Sequence, residues 1–235
     1  FMHRAEILQT NLTRVEQTIA QAYAQARVKT GPVSLMAVTK YAQDEDVLTL
    51  LATGRIKHIG ESRVQQAWAR WTNPVFAKYP VVKHFIGHLQ KNKAARAVEL
   101  FDFIDSVDSL PLGEVLSTLA VKKGKCVRVL VQVKLTDKES QSGLPLAQAR
   151  QLAAALKKLP GLQVCGYMAI APQAQQPQVL RGLFAGVREA FLQDFTGAER
   201  WLSLGMSGDY AQAVLEGSTL PRIGSAIFAK NLEDL

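Results

Sequence analysis

Residues 34–60 read SLMAVTKYAQDEDVLTLLATGRIKHIG. An apolar run arrives at Lys40. An acidic stretch, DEDVLTLLATG, follows and ends on Gly54, and a second apolar run climbs to Gly60. Acidic residues at the start of a helix and a glycine just past its end suit the helix macrodipole and a left-handed C-cap. The stretch therefore reads as strand, helix, strand, and the same order recurs along the chain.

Eight short β-like runs are expected at 33–40, 56–60, 82–87, 103–107, 127–135, 163–170, 201–206 and 220–228. The segments between them are mostly helical in pattern, such as LAQARQLAAALKKLPG and DYAQAVLEGS. Before them, residues 3–28 read as one more helix, with Ile7, Leu8, Leu12, Val15, Ile19, Ala22 and Tyr23 at helical spacing and Gly31-Pro32 as the stop. Strands alternating with helices predict parallel strands joined by right-handed crossovers. The count of eight favours a closed (β/α)8 TIM barrel with an extra N-terminal helix over a doubly wound open sheet. No Pro- or Ser-rich linker divides the chain, so residues 1–235 are expected to form a single domain. APQAQQPQ, 171–178, is the longest irregular stretch and is expected to be a loop beside the functional face.

The composition is that of an ordinary soluble protein: 48% hydrophobic and 20% charged, with mean hydropathy near zero. No apolar run approaches the roughly 18 residues needed to cross a bilayer, and no secretory signal is visible. Phe1 precedes a methionine, and Met2 reads as the native start. The net charge of +8 admits an anionic partner, but the basic residues are dispersed and lack interleaved aromatics. LQKNKAAR (89–96) and VKKGKCVR (121–128) read as solvated faces, and neither nucleic acid nor membrane is expected as a partner. Cys126 and Cys165 lie in apolar runs and read as buried free thiols of a reducing, cytoplasmic environment. His58, His84 and His88 read as core or rim residues, because their spacing suits no metal. Glu61 reads either as facing the site or as a helix-start carboxylate.

In a barrel of this kind chemistry gathers at the C-terminal ends of the strands, and phosphate often sits after strands seven and eight. Strand one ends at Lys40. Strand seven leads into SLGMSGDY, with Gly205, Ser207 and Gly208; strand eight leads into PRIGSAIF, with Gly224 and Ser225. Glycines let backbone N–H groups approach an anion, and serine hydroxyls add donors. Partial burial disfavours an ammonium ion, and the neutral amine attacks an aldehyde to form a Schiff base. A phosphate cup facing a lysine suits pyridoxal 5'-phosphate (PLP) and also a sugar-phosphate aldolase. Arg222, two residues before Gly224 and on the same face, can take the phosphate or hydrogen-bond a pyridine nitrogen. In the second case it keeps that nitrogen unprotonated and weakens the ring as an electron sink. Tyr41 adjoins Lys40, and strand alternation points it to the other face.

LMAVTK (35–40), IGESRVQQA (59–67), KHFIGHLQKNK (83–93), VKLTDKESQSGL (133–144), CGYMAI (165–170), LSLGMSGDY (202–210) and GSTLPRIGSAIF (217–228) together resemble the pyridoxal phosphate homeostasis protein family over nearly the whole chain. The resemblance implies a barrel like the N-terminal domain of alanine racemase, the type III fold of PLP proteins. It implies a Schiff base between PLP and Lys40, with Ser207, Gly224 and Ser225 at the phosphate, Arg222 near the pyridine nitrogen and Met206 beside the cofactor. It further implies a monomer that stores PLP, or delivers it to PLP-dependent apoenzymes, without turnover, and so affects amino-acid and keto-acid balance. Four positions depart from the family pattern, the first pair being Ser62-Arg63, where the family reads Asn-Tyr. Ser62 stands where the family has Asn and replaces its cofactor contact only in part, His88 stands for Pro, and Gln141 for Lys. The competing expectation is a PLP-dependent racemase of the same fold. Two-base racemisation needs a second acid/base opposite the lysine, which in such racemases comes from a second domain. The chain runs only a few residues past strand eight, so a carrier is expected. A Schiff-base aldolase is disfavoured because its lysine usually lies on a later strand.

Overall fold

The computed structural model describes residues 3–136, 141–172 and 175–230. The expected native start at Met2 and parts of the VKLTDKESQSGL and APQAQQPQ stretches lie outside the described residues.

Eight strands form: β1 (Met36–Val38), β2 (His58–Glu61), β3 (Val82–Phe85), β4 (Phe103–Val107), β5 (Val127–Lys134), β6 (Leu162–Ile170), β7 (Trp201–Ser203) and β8 (Arg222–Ile223). They lie in the order β7-β6-β5-β4-β3-β2-β1-β8, and every neighbouring pair is parallel. The remaining seam, between β7 and β8, is closed by single hydrogen bonds. Thr219 and Leu220 N–H donate to Leu202 O at 2.9 and 3.2 Å, and Arg222 N–H donates to Gly205 O at 2.9 Å. The result is a nearly closed (β/α)8 barrel.

Apolar residues fill the space between the sheet and its helices. On one side Val129, Val131, Tyr167 and Leu202 pack under Leu116, Leu156, Phe184 and Phe191. On the other, Ala37, Ile59 and Ile223 pack against Leu12, Val15, Val47 and Leu50. The N-terminal helix, Arg4–Gln25, buries the expected stripe of Leu8, Leu12, Val15, Ile19 and Ala22. It ends short of Gly31-Pro32, because the chain must extend for Thr30 Oγ1 to reach Gly217 O at 2.6 Å. Asn11 Nδ2 donates to Ile227 O and Ala229 O at 3.1 and 3.2 Å, and Arg4 donates to Phe228 O and Ala229 O. The helix thereby fixes the end of the short helix Ser225–Phe228, which follows β8.

That short helix corrects the expected strand over 220–228, whose second half turns at Gly224. Pro177 and Gln178, expected in a loop, start the helix Pro177–Asp194, where proline suits the first turn. Cys126 is exposed and Cys165 buried, so the expectation of two buried thiols holds for one. Cys126 lies just ahead of β5, outside the paired ladder.

The barrel axis carries a polar chain. His84 Nδ1 lies 3.0 Å from both carboxylate oxygens of Asp105, and His84 Nε2 lies 3.0 Å from His58 Nδ1. A carboxylate only accepts, so His84 donates through Nδ1 and presents Nε2 to His58. Phe103 stacks on His84 with ring centroids 4.5 Å apart, and Trp201 meets His58 edge-on. Burial, followed by the neighbouring His84 and Arg128, pushes the His58 imidazole down to about 4. His58 and His84 are core residues, as expected; His88 is exposed.

Candidate functional site

The ladder of β1 stops at Val38, and the chain turns at once. Thr39 N–H still donates to Gly60 O at 3.0 Å, and Ala42 N–H closes back on Thr39 O at 3.0 Å. Lys40 and Tyr41 are the two central residues of this turn. Strand alternation therefore does not separate them. Contrary to expectation, both line the same cavity, with Lys40 Nζ 5.1 Å from the centroid of the Tyr41 ring. Tyr41 is 74% exposed, and Lys40 is half-buried. Among the described residues Lys40 Nζ has no hydrogen-bond or ion-pair partner.

The cavity has a volume of about 780 Å³, within the range of small-molecule and cofactor sites. The turns after β7 and β8 form its far wall. Gly205 enters the first turn at φ +90, and a Cβ there would meet Tyr210 Cα at 2.8 Å, so only glycine fits. Met206 N–H donates to Asp209 Oδ1 at 2.6 Å, and Asp209 and Tyr210 N–H return to Met206 O. Burial pushes the Asp209 carboxyl up, while the Met206 N–H and the charge of Arg222 pull it back.

Ser207 Oγ accepts hydrogen bonds from the backbone N–H of Gly224 at 3.3 Å and of Ala226 at 3.2 Å. A hydroxyl oxygen thus occupies the focus of two backbone donors. The N–H groups of Ser207, Gly208 and Ser225 have no partner among the described residues. A Cβ placed on Gly208 would meet nothing within 4 Å, so that turn is open to a ligand. This donor set is the kind that holds a phosphate.

Arg222 rises from β8 into the barrel and is 3% exposed. Its Nη1 donates to Ser203 O and Oγ at 2.7 and 2.9 Å, and its Nη2 to Ala169 O at 2.8 Å. Burial pulls the guanidinium down to about 10, against the attraction of Asp105 and Asp209, so it stays charged at neutral pH. Its Nε–H has no partner among the described residues, and the residue lines the cavity.

Of the residues expected at the site, Lys40, Met206, Ser207, Arg222, Gly224 and Ser225 share this one cavity. Ser62 does not line it. It opens on a neighbouring cavity of about 360 Å³ with Arg63, His88 and Lys93. The cause is a close approach of the β2 and β3 ends: a Cβ on Gly87 would sit 2.3 Å from Ser62 O. Glu61 neither faces the cavity nor starts a helix. It is buried and accepts from Thr39 Oγ1 at 2.7 Å, Arg70 Nη1 at 2.9 Å and Trp71 Nε1 at 3.2 Å. Gln141 Nε2 donates to Ile170 O at 2.9 Å.

Sequence reading missed Val38, Ile86 and Phe228 as apolar walls, and Lys230 as a second lysine at the rim. Val38, the last residue of the β1 ladder and two positions before Lys40, was legible in the apolar run that leads to the lysine. Lys230 gave none. Among the described residues no group of His, Cys, Asp or Glu side chains is arranged to hold a metal ion, and no helix is long and apolar enough to cross a membrane.

The model of the alanine racemase N-terminal domain family matches residues 12–231. An alanine racemase from Clostridium difficile superposes with a TM-score of 0.71 over 97% of this chain and 57% of its own, at 13% identity, a likeness of fold alone. Relatives of higher identity are more specific. A pyridoxal phosphate homeostasis protein of Synechocystis is 35% identical over 204 residues, covering 85% of this chain and 92% of the relative. One of Escherichia coli is 33% identical over 228 residues, covering 93% and 94%. PipY of Synechococcus elongatus, solved with PLP bound, has a TM-score of 0.75 and 35% identity over 90% of this chain and 100% of its own. The chain belongs to the pyridoxal phosphate homeostasis protein family.

Proposed function

We propose that this chain is a PLP-holding barrel that serves cofactor homeostasis, storing PLP or handing it to PLP-dependent apoenzymes, with no turnover of its own. The observation that carries the reading is the convergence on one cavity of a half-buried lysine and three backbone N–H groups, without hydrogen-bond or ion-pair partners among the described residues, and a buried guanidinium. PipY, solved with PLP bound, and the relatives' shared name support it.

The residues divide the work. Backbone N–H groups of Ser207, Gly208 and Ser225, with the Ser207 hydroxyl, bind the phosphate, and Gly224 lets the chain approach it. Met206, Val38 and Ile86 bound the ring. Arg222, whose Nε–H has no partner among the described residues, would offer it to the pyridine nitrogen. Lys40 would hold PLP through its amine, for which the bound cofactor would supply an aldehyde able to form a Schiff base with loss of water. Arg222 holds its charge while fixed by three oxygens, so it has no proton to yield to the ring nitrogen, and carbanion chemistry is poorly supported. The single-domain barrel over 1–235 acts in the cytoplasm as a monomer in this reading.

A second reading, racemase-like activity on amino acids, draws on one observation: the Tyr41 phenol stands at the cavity beside Lys40. Two measurements separate the readings. PLP titration followed by visible absorbance and borohydride reduction is expected to give a reducible adduct in the wild type and none in Lys40→Ala. Racemisation and transamination assays on common amino acids are expected to show no turnover. Absence of the adduct defeats the proposal, and turnover that fails in Tyr41→Phe establishes the second reading.

A further inference from the structure

One guanidinium grips both ends of the turn that carries Lys40. Arg70 belongs to the helix Val64–Trp71, which follows β2. Its Nη1 donates to Thr39 O at 2.8 Å and its Nη2 to Ala42 O at 2.7 Å. These are the residues flanking Lys40 and Tyr41, and the hydrogen bond from Ala42 N–H to Thr39 O runs between them. The same guanidinium reaches Glu61 Oε1 at 2.9 Å through Nη1 and Asp44 Oδ1 at 2.7 Å through Nε. Glu61 Oε1 also receives Thr39 Oγ1 at 2.7 Å, so the clamp is anchored from below by a buried carboxylate. Arg70 itself does not line the cavity. A planar fork with several fixed donors spans two carbonyls in a way that a lysine ammonium does not.

We propose that Arg70, seated on Glu61, is a positioning residue for Lys40. It fixes the backbone from which the lysine rises and so aims the amine at the place where a phosphate-anchored aldehyde would lie. The inference rests on the reading that Lys40 bonds the cofactor. The step it assists is a condensation: Lys40 Nζ adds to the aldehyde carbon, C=N forms, and the carbonyl oxygen leaves as water, with no change of oxidation state. Arg70 makes and breaks no bond in it. A purely structural clamp would alter stability and the binding of any ligand of the cavity alike. A positioning clamp acts on the covalent step and spares the phosphate anchorage, because Arg70 touches neither Ser207 nor the turn after β8.

The test compares two probes on the full chain: PLP, and pyridoxine 5'-phosphate, in which a hydroxymethyl group replaces the aldehyde. Stopped-flow absorbance gives the rate of bond formation with PLP, and calorimetry gives the affinity for pyridoxine 5'-phosphate. Arg70→Ala is expected to slow bond formation about tenfold or more, since small misplacements of a reacting group carry losses of that size or larger. Its affinity for pyridoxine 5'-phosphate is expected to stay within about twofold of wild type, because the anchorage is untouched. Arg70→Lys, which keeps the charge and loses the fork, is expected to fall between, and it carries the comparison if Arg70→Ala does not fold. Wild-type rates in the Arg70 variants overturn the proposal, as does an equal loss of both probes. Failure of the underlying reading looks different: wild type itself then gives no borohydride-reducible adduct at Lys40.

Discussion

Ser207 Oγ lies 3.3 Å from the backbone nitrogen of Gly224 and accepts its N–H. One hydroxyl thus joins the turn after β7 to the turn after β8, across the side of the barrel where, among the described residues, no strand ladder forms. The proposed phosphate cup and the closure of the barrel share this contact, so a change at Ser207 acts on both.

Ser207→Ala leaves the N–H groups of Gly224 and Ala226 without their acceptor. The expected loss is about 1 kcal/mol of folding stability, read from chemical denaturation. Affinity for pyridoxine 5'-phosphate is expected to fall about tenfold, the equivalent of one charge-assisted hydrogen bond. Unchanged affinity would remove the Ser207 hydroxyl from the phosphate contact.

Gly205→Ala tests the backbone of the same turn. The positive φ and the 2.8 Å approach of an added Cβ to Tyr210 Cα both oppose a side chain. The expected destabilisation is about 1–3 kcal/mol from the backbone conformation alone, with further loss from the overlap. A denaturation midpoint equal to wild type would show that the turn relaxes freely.

His58 gives the fold a pH dependence. Its folded-state value, about 4, lies below the 6.5 of the free side chain. Between those values the unfolded chain binds a proton that the folded chain does not. Stability from this group is therefore complete above pH 6.5 and falls as the pH drops toward 4, by a total of about 3 kcal/mol. His58→Gln is expected to flatten that part of the stability profile, and equal slopes in mutant and wild type would contradict the assignment.

The cysteines differ in reach. Cys126 is exposed, whereas burial pushes the Cys165 thiol up to about 12. A disulfide reagent at neutral pH is expected to modify Cys126 in the native protein, and Cys165 only after denaturation. Rapid modification of Cys165 in the native state would show that β6 opens.

The sequence carried the barrel well because each strand is an apolar run bounded by a turn signal, and all eight strands fall within or beside those runs. It misplaced ends where hydrogen bonding, not hydrophobicity, sets the boundary. The apolar run to Lys40 continues past the last paired residue, Val38, and SAIF is as apolar as a strand yet winds into a helix after Gly224. The glycines and serines of the proposed cup were legible because their chemistry is local. Arg70 was not. Its partners Thr39 and Ala42 are about thirty positions away in sequence, and nothing in a helix-face arginine announces which carbonyls it will reach. The place of Ser62 on a neighbouring cavity was hidden for a related reason, since it depends on how closely Gly87 lets β3 approach β2.

The most direct measurement is the location of the covalent bond. PLP-loaded protein is reduced with borohydride, digested, and its peptides sequenced by tandem mass spectrometry. The expected result is a pyridoxyl group on Lys40 as the main adduct, lost in Lys40→Ala. A modification centred on Lys230 or another lysine, or none at all, would contradict the assignment of Lys40 as the residue that holds the cofactor.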